Sequence, residues 1–143
     1  MQKLTGSCHC GNVSVVFETD LAPAEMVPRA CQCSFCRMHS TAAVSDPAGR
    51  LTFTATDVEK LNRYTFGLGS TEFLICRTCG AYVGAFMPDG EKAYANVMAG
   101  VLDARDEITR PTVPVHRSQE NFEERQSRRR AMWTPAKLAQ DSR

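Results

Sequence analysis

Two short stretches decide how this chain folds: CHCG at Cys8–Gly11 and CRTCG at Cys76–Gly80. Each sets a glycine directly after its second cysteine. Lacking a Cβ, glycine can take a positive φ, so the backbone doubles back and presents N–H groups to the thiolate sulfurs. C-x-C joined to C-x-x-C can close a tetrahedral four-cysteine zinc site. The two halves lie far apart in sequence, yet loop-closure cost grows only logarithmically with length. Buried unligated cysteines have no reason to arrive in glycine-flanked pairs. Such a zinc carries a formal charge of about −2 and needs backbone donors around it.

The remaining cysteines lie in CQCSFCR, Cys31–Arg37, with no glycine after the last. A zinc held by Cys31, Cys33 and Cys36 alone keeps one tetrahedral position for an exogenous ligand. Three thiolates make that metal a weak Lewis acid, better matched to a fourth soft donor than to water activation. A thiol entering there is held as its thiolate, the nucleophilic form, despite a free pKa near ~8.5. Other readings stay open. His39 can be the fourth ligand, Cys33 and Cys36 can form a redox pair resolved by Cys31, or ligands can be exchanged among the clusters.

The surroundings suit metal chemistry. A chain of 143 residues, 43% apolar and 23% charged, fits one globular domain. The N-terminus MQKLTGSCHC has no apolar signal region, and no run of 18 apolar residues occurs, which predicts a soluble, cytoplasmic protein without membrane contact. Seven cysteines in a reducing compartment point to metal or thiol chemistry rather than disulfides.

Strand-like runs dominate the rest: Val13–Phe17, Leu51–Thr56, Leu61–Phe66, Thr71–Ile75, Ala81–Phe86 and Tyr94–Leu102. Turn signals at DPAG (46–49), GLGS (67–70) and PDG (88–90) separate several of them. The expected class is all-β, built of hairpins. One helix is expected at Gln119–Met132, capped by Ser118. Charge suggests a boundary: residues 1–116 carry 10 Lys+Arg against 12 Asp+Glu, and residues 117–143 carry 7 against 4. The first segment reads as the zinc-binding domain. The second reads as a basic tail, helical or extended, packed on it or extending from it. Within that tail RQSRRR (Arg125–Arg130) has no interleaved aromatics and follows three glutamates, so a solvated or salt-bridged segment is favoured over a nucleic-acid or lipid surface.

GSCHCGNVSVVF, ACQCSFCR, LNRYTFG, FLICRTCGAYVGAF and VMAGVLD follow in that order, across roughly residues 4–105. In this the chain resembles the glutathione-dependent formaldehyde-activating enzyme family, which also includes centromere protein V. The resemblance implies a β-tent of small twisted antiparallel sheets around zinc, with Cys8, Cys10, Cys76 and Cys79 matching the structural ligands. It implies that Cys31, Cys33 and Cys36 match the ligands of a second, catalytic-type zinc. The implied activity joins glutathione and formaldehyde as S-(hydroxymethyl)glutathione, classed in reverse as a carbon–sulfur lyase. That chemistry needs a thiolate near a small aldehyde and a proton for the alkoxide. Arg37 is a candidate to orient a carboxylate or stabilise the oxyanion, and His39 to shuttle the proton. The alternative is a non-catalytic zinc module contacting protein or nucleic acid through the basic tail. The chain departs from familiar members at Ser40-Thr41, where glycine is expected, and in the C-terminal stretch SQENFEERQSRRRAMWTPAKL.

Overall fold

Val13, Val15, Phe17 and Thr19 alternate inward along one strand while Ser14 faces solvent, the period-2 pattern of a half-buried sheet. The computed structural model describes residues 1–140 and contains twelve strands. They are β1 (Gln2–Ser7), β2 (Val13–Thr19), β3 (Arg29–Cys31), β4 (Ala43–Val44), β5 (Arg50–Ala55) and β6 (Leu61–Tyr64). After them come β7 (Glu72–Cys76), β8 (Tyr82–Asp89), β9 (Lys92–Ala95), β10 (Val97–Met98), β11 (Val113–Val115) and β12 (Thr134–Gln140). Two α-helices, α1 (Ser34–His39) and α2 (Phe122–Met132), complete the main elements. The fold is all-β in character. No helix among the described residues is long and apolar enough to cross a membrane.

Eight strands form one sheet in the order β1-β2-β5-β12-β9-β8-β7-β6, and four form another in the order β10-β4-β3-β11. Hairpin neighbours pair antiparallel, as Gln2↔Thr19 through Ser7↔Ser14 between β1 and β2. The parallel pairings are β12 with β5 and β11 with β3. Both use strands from late in the chain that reach their partners by long connections. Phe17, Leu51, Phe53, Leu74 and Val83 are fully buried in the core between the sheet faces. Sulfurs on β7 and on the turn after β1 meet across this core, so the eight-stranded sheet wraps over rather than lying flat.

The run Tyr94–Leu102, expected as a single strand, is divided. Buried Asn96 accepts the Ala85 N–H through Oδ1 at 3.0 Å and donates its own N–H to the Ala85 carbonyl at 3.1 Å. This double bond to one residue ends β9, and the chain passes to β10 in the other sheet. The C-terminal helix starts later than expected, at Phe122, because Asn121 rather than Ser118 caps it. Asn121 Oδ1 accepts the Glu124 N–H at 2.8 Å and Glu124 Oε1 accepts the Asn121 N–H at 3.0 Å, a reciprocal capping box. Beyond α2, β12 lies between β5 and β9, and its buried Thr134 accepts the Asp46 N–H on Oγ1 at 2.8 Å.

Candidate metal centres and the adjoining cavity

Cys8 and Cys10 occupy the turn from β1 into β2, whereas Cys76 ends β7 and Cys79 lies in the turn before β8. Their four sulfurs lie within 4.8 Å of one another, with Cys8–Cys10 at 3.7 Å and Cys10–Cys76 at 3.6 Å. Tetrahedral ligation at about 2.3 Å would set neighbouring sulfurs about 3.8 Å apart, so this cluster fits zinc without rearrangement.

Gly11 and Gly80 take φ of 89° and 80°, the conformation their position demands. Their own N–H groups donate to the Cys8 and Cys76 carbonyls, at 3.1 and 2.9 Å. The turn thereby aims later donors at sulfur: the Val13 N–H reaches Cys8 Sγ at 3.3 Å, and those of Ala81 and Cys10 point to Cys79. Burial pushes the Cys8 thiol up to about 11. Burial also acts on Cys79, but those N–H groups and the neighbouring Cys76 and Cys8 outweigh it and bring Cys79 to about 6.

The second group is built on α1. Cys31 ends β3, Cys33 is the α1 N-cap and Cys36 is buried in its first turn. Cys33 Sγ accepts the Cys36 N–H at 3.4 Å, taking the role a serine or aspartate oxygen fills at other helix starts. The three sulfurs also lie within 4.8 Å of one another. A hydrogen bond from Cys36 draws Cys31 down to about 5, and its partnership with Cys31, followed by burial, holds Cys36 protonated. One thiolate here suppresses the next; all three can ionise together only beside a cation, and the donor set suits zinc.

The structure gathers the seven predicted cysteines into two groups and sets Arg37 and His39 apart. Both are exposed on α1 and neither lines the cavity beside the three sulfurs. The His39 ring packs on Phe35, with centroids 4.4 Å apart, and no histidine belongs to either sulfur group among the described residues.

That cavity, of about 170 Å³, opens directly on Cys31, Cys33 and Cys36. Tyr82 lines it; burial, reinforced by the three nearby sulfurs, raises its phenol well above the ordinary range and keeps the hydroxyl protonated. The opposite character comes from arginine: Arg29, Arg117, Arg125, Arg128 and Arg129 all contribute to the lining. Arg128 forms a bidentate pair with Glu120 at 2.6 and 2.9 Å, and Arg125 approaches the same carboxylate at 3.8 Å. Arg129 Nη1 donates to the hydroxyls of Ser70 and Thr71. Burial, then the charges of Arg128 and Arg125, lower Arg129 to about 10.

RQSRRR therefore serves two purposes. Arg125, Arg128 and Arg130 make the ion pairs expected of a salt-bridged segment, Arg130 with Asp89 at 2.8 Å, while Arg129 turns into the cavity. The available signal was spacing: residues 125, 128 and 129 share one helical face. Tyr82, inside the strand run AYVGAF, carried no signal beyond a core aromatic.

A β-domain whose turns bring distant cysteines together in groups able to hold a metal defines the class of protein. Residues 3–119 match the sequence profile of the glutathione-dependent formaldehyde-activating enzyme family, and the chain belongs to that family. The chain is also similar to the crystal structure of a Rhodobacter sphaeroides protein, a structural-genomics target. The two are 29% identical over 76% of this chain and 99% of that chain, with a TM-score of 0.56. Comparison with curated proteins finds no match. The family match ends before α2 and β12 begin.

Proposed function

We propose that the protein joins a small thiol, glutathione, to formaldehyde or another small aldehyde, and runs the reverse carbon–sulfur cleavage. Membership of the family supports glutathione-dependent formaldehyde activation. The observation that carries the finer reading is the three-cysteine group opening onto a cavity. Zinc bound by Cys31, Cys33 and Cys36 would supply one free position that holds an incoming thiol as thiolate.

The thiolate sulfur attacks the aldehyde carbon: a C–S bond forms, the C=O π pair moves to oxygen, and the resulting alkoxide takes a proton from water. Tyr82, kept protonated by its surroundings, lines the cavity as a hydrogen-bond donor to that alkoxide. Holding two small reactants together is the main contribution, because the reaction also proceeds in water. Cys8, Cys10, Cys76 and Cys79 hold a structural zinc. The roles considered for Arg37 and His39 have no support from the cavity, and the reading stands without them. The alternative of a nucleic-acid module has less support, since Arg125, Arg128 and Arg130 are already paired with carboxylates.

The test follows S-(hydroxymethyl)glutathione formation by exchange NMR on protein of measured zinc content, with the spontaneous rate subtracted. Saturable acceleration lost in Cys33→Ser is expected. Zinc-loaded wild type that adds nothing to the spontaneous rate overturns the proposal.

A further inference from the structure

The cavity wall holds far more positive charge than its protein partners neutralise. Five guanidinium groups line it, and the carboxylate that pairs with them is Glu120, shared between Arg128 and Arg125. Arg117 Nε and Arg129 Nε are buried without a hydrogen-bond partner among the described residues. Desolvated donors left in this state cost free energy unless something accepts from them. Arg129 is also held in place: its Nη1 is fixed by Ser70 and Thr71, and its guanidinium carbon lies over the Trp133 ring. A fixed cation beside unsatisfied donors is the arrangement of a binding group rather than of a mobile surface charge.

From the unpartnered guanidinium donors beside the three-sulfur group we infer that Arg129 of α2, with Arg117, is specificity-determining and reads the carboxylates of the incoming thiol. The inference rests on the proposed thiol chemistry for the orientation of the ligand, sulfur toward Cys31, Cys33 and Cys36 and carboxylates toward α2. It goes beyond the family match, because α2 lies outside residues 3–119. Guanidinium binds carboxylate through charge-assisted N–H···O bonds, and among the described residues the Nε groups of Arg117 and Arg129 are without a partner at this cavity. Neutral or cationic thiols gain nothing from this wall and are repelled when positively charged.

The experiment separates carboxylate recognition from thiol chemistry by using S-methylglutathione, which cannot react and offers no thiolate. Its binding to the full-length zinc-loaded protein is followed by titration calorimetry and by the thermal midpoint. The diethyl ester, which removes both negative charges, and inorganic sulfate serve as comparisons. Saturable binding of S-methylglutathione is expected, weakened about tenfold or more by esterification and by Arg129→Gln. Arg130→Gln, on the same helix but paired with Asp89 outside the cavity, should bind as wild type does. The inference is overturned if S-methylglutathione does not bind at millimolar concentration, if the ester binds as well, or if sulfate binds more tightly. Because the ester arm needs no variant, a folding defect in Arg129→Gln leaves the test intact. Carboxylate-dependent binding without turnover would sink the proposed reaction alone; turnover indifferent to esterification would sink this inference alone.

Discussion

The guanidinium carbon of Arg129 lies 4.9 Å from the centre of the Trp133 ring, at the wall of the cavity that the three-cysteine group shares. Trp133 is the single tryptophan and is almost wholly buried. A ligand drawing on Arg129 must change the charge above that ring. Tryptophan emission should therefore be blue-shifted at rest and respond saturably to S-methylglutathione, with the same midpoint that calorimetry gives. The diethyl ester should leave the spectrum unchanged.

Loss of the four-cysteine group should be a folding defect. Cys8 and Cys76 are each 1% exposed and tie the turn after β1 to the end of β7. Structural zinc in small peptides contributes about 10–16 kcal/mol, as much as the roughly 5–15 kcal/mol net stability of a typical domain. Cys76→Ser is expected to yield insoluble or molten protein. A soluble variant with wild-type melting and full metal content would contradict the structural role.

Cys33→Ser should behave in the opposite way. Its sulfur caps α1, and serine is itself a strong N-cap, so the helix keeps its start. About one zinc per chain should be lost, with the thermal midpoint near that of wild type. Mild chelation of wild type should strip the same equivalent first. Metal analysis beside a melting curve on both proteins decides it; removal of the four-cysteine metal before the other is the adverse result.

Ser40 closes α1 with φ of 50°, the one non-glycine residue at positive φ among the described residues. The backbone there is one that favours glycine, the residue expected at this point from the family resemblance. Ser40→Gly should stabilise the fold by up to about 1 kcal/mol, the relief of Cβ strain less the added chain entropy. Gly80→Ala should cost about 1–2 kcal/mol from φ alone, since an added Cβ there meets no neighbouring atom. Urea midpoints at unchanged slope measure both.

The cysteine groups were legible because metal ligation leaves a signature in residue type and spacing, and Gly11 and Gly80 confirmed the reason for each glycine. Strands with a clean period of two, such as Val13–Thr19, were legible for the same kind of reason. What could not be read was the part made by tertiary pairing. TPAKLAQ contains a proline and two alanines and has weak intrinsic strand preference, yet as β12 it gains partners on both sides. Pro135 is tolerated where β12 meets β9 at the strand's start. The handover at Asn96 was equally hidden, since it depends on where Ala85 lies. The cavity needed both: Tyr82 and Arg129 come from segments that sequence alone never placed side by side.

A chain cut after Trp133 tests how much β12 carries. Its loss unpairs β5 from one side and β9 from the other and removes the acceptor that Thr134 gives Asp46. Near-UV circular dichroism should collapse while some far-UV signal persists. A truncated protein with native near-UV bands would show that the two parts of the sheet close without it.

The same strand order sets a timetable for synthesis. β1, β2 and β5 can pair as soon as residue 55 is free of the ribosome, and β6 through β9 can follow as a second meander, with the four sulfurs already available to metal. Until residues 134–140 emerge, the flanks of β5 and β9 stay open, each a row of unpaired N–H and C=O groups able to accept a foreign strand. The nascent protein thus passes through an interval in which its four cysteines can already meet but its open strand edges are exposed to pairing errors. The arrival of β12 ends that vulnerability and, through α2 just before it, also completes the arginine wall.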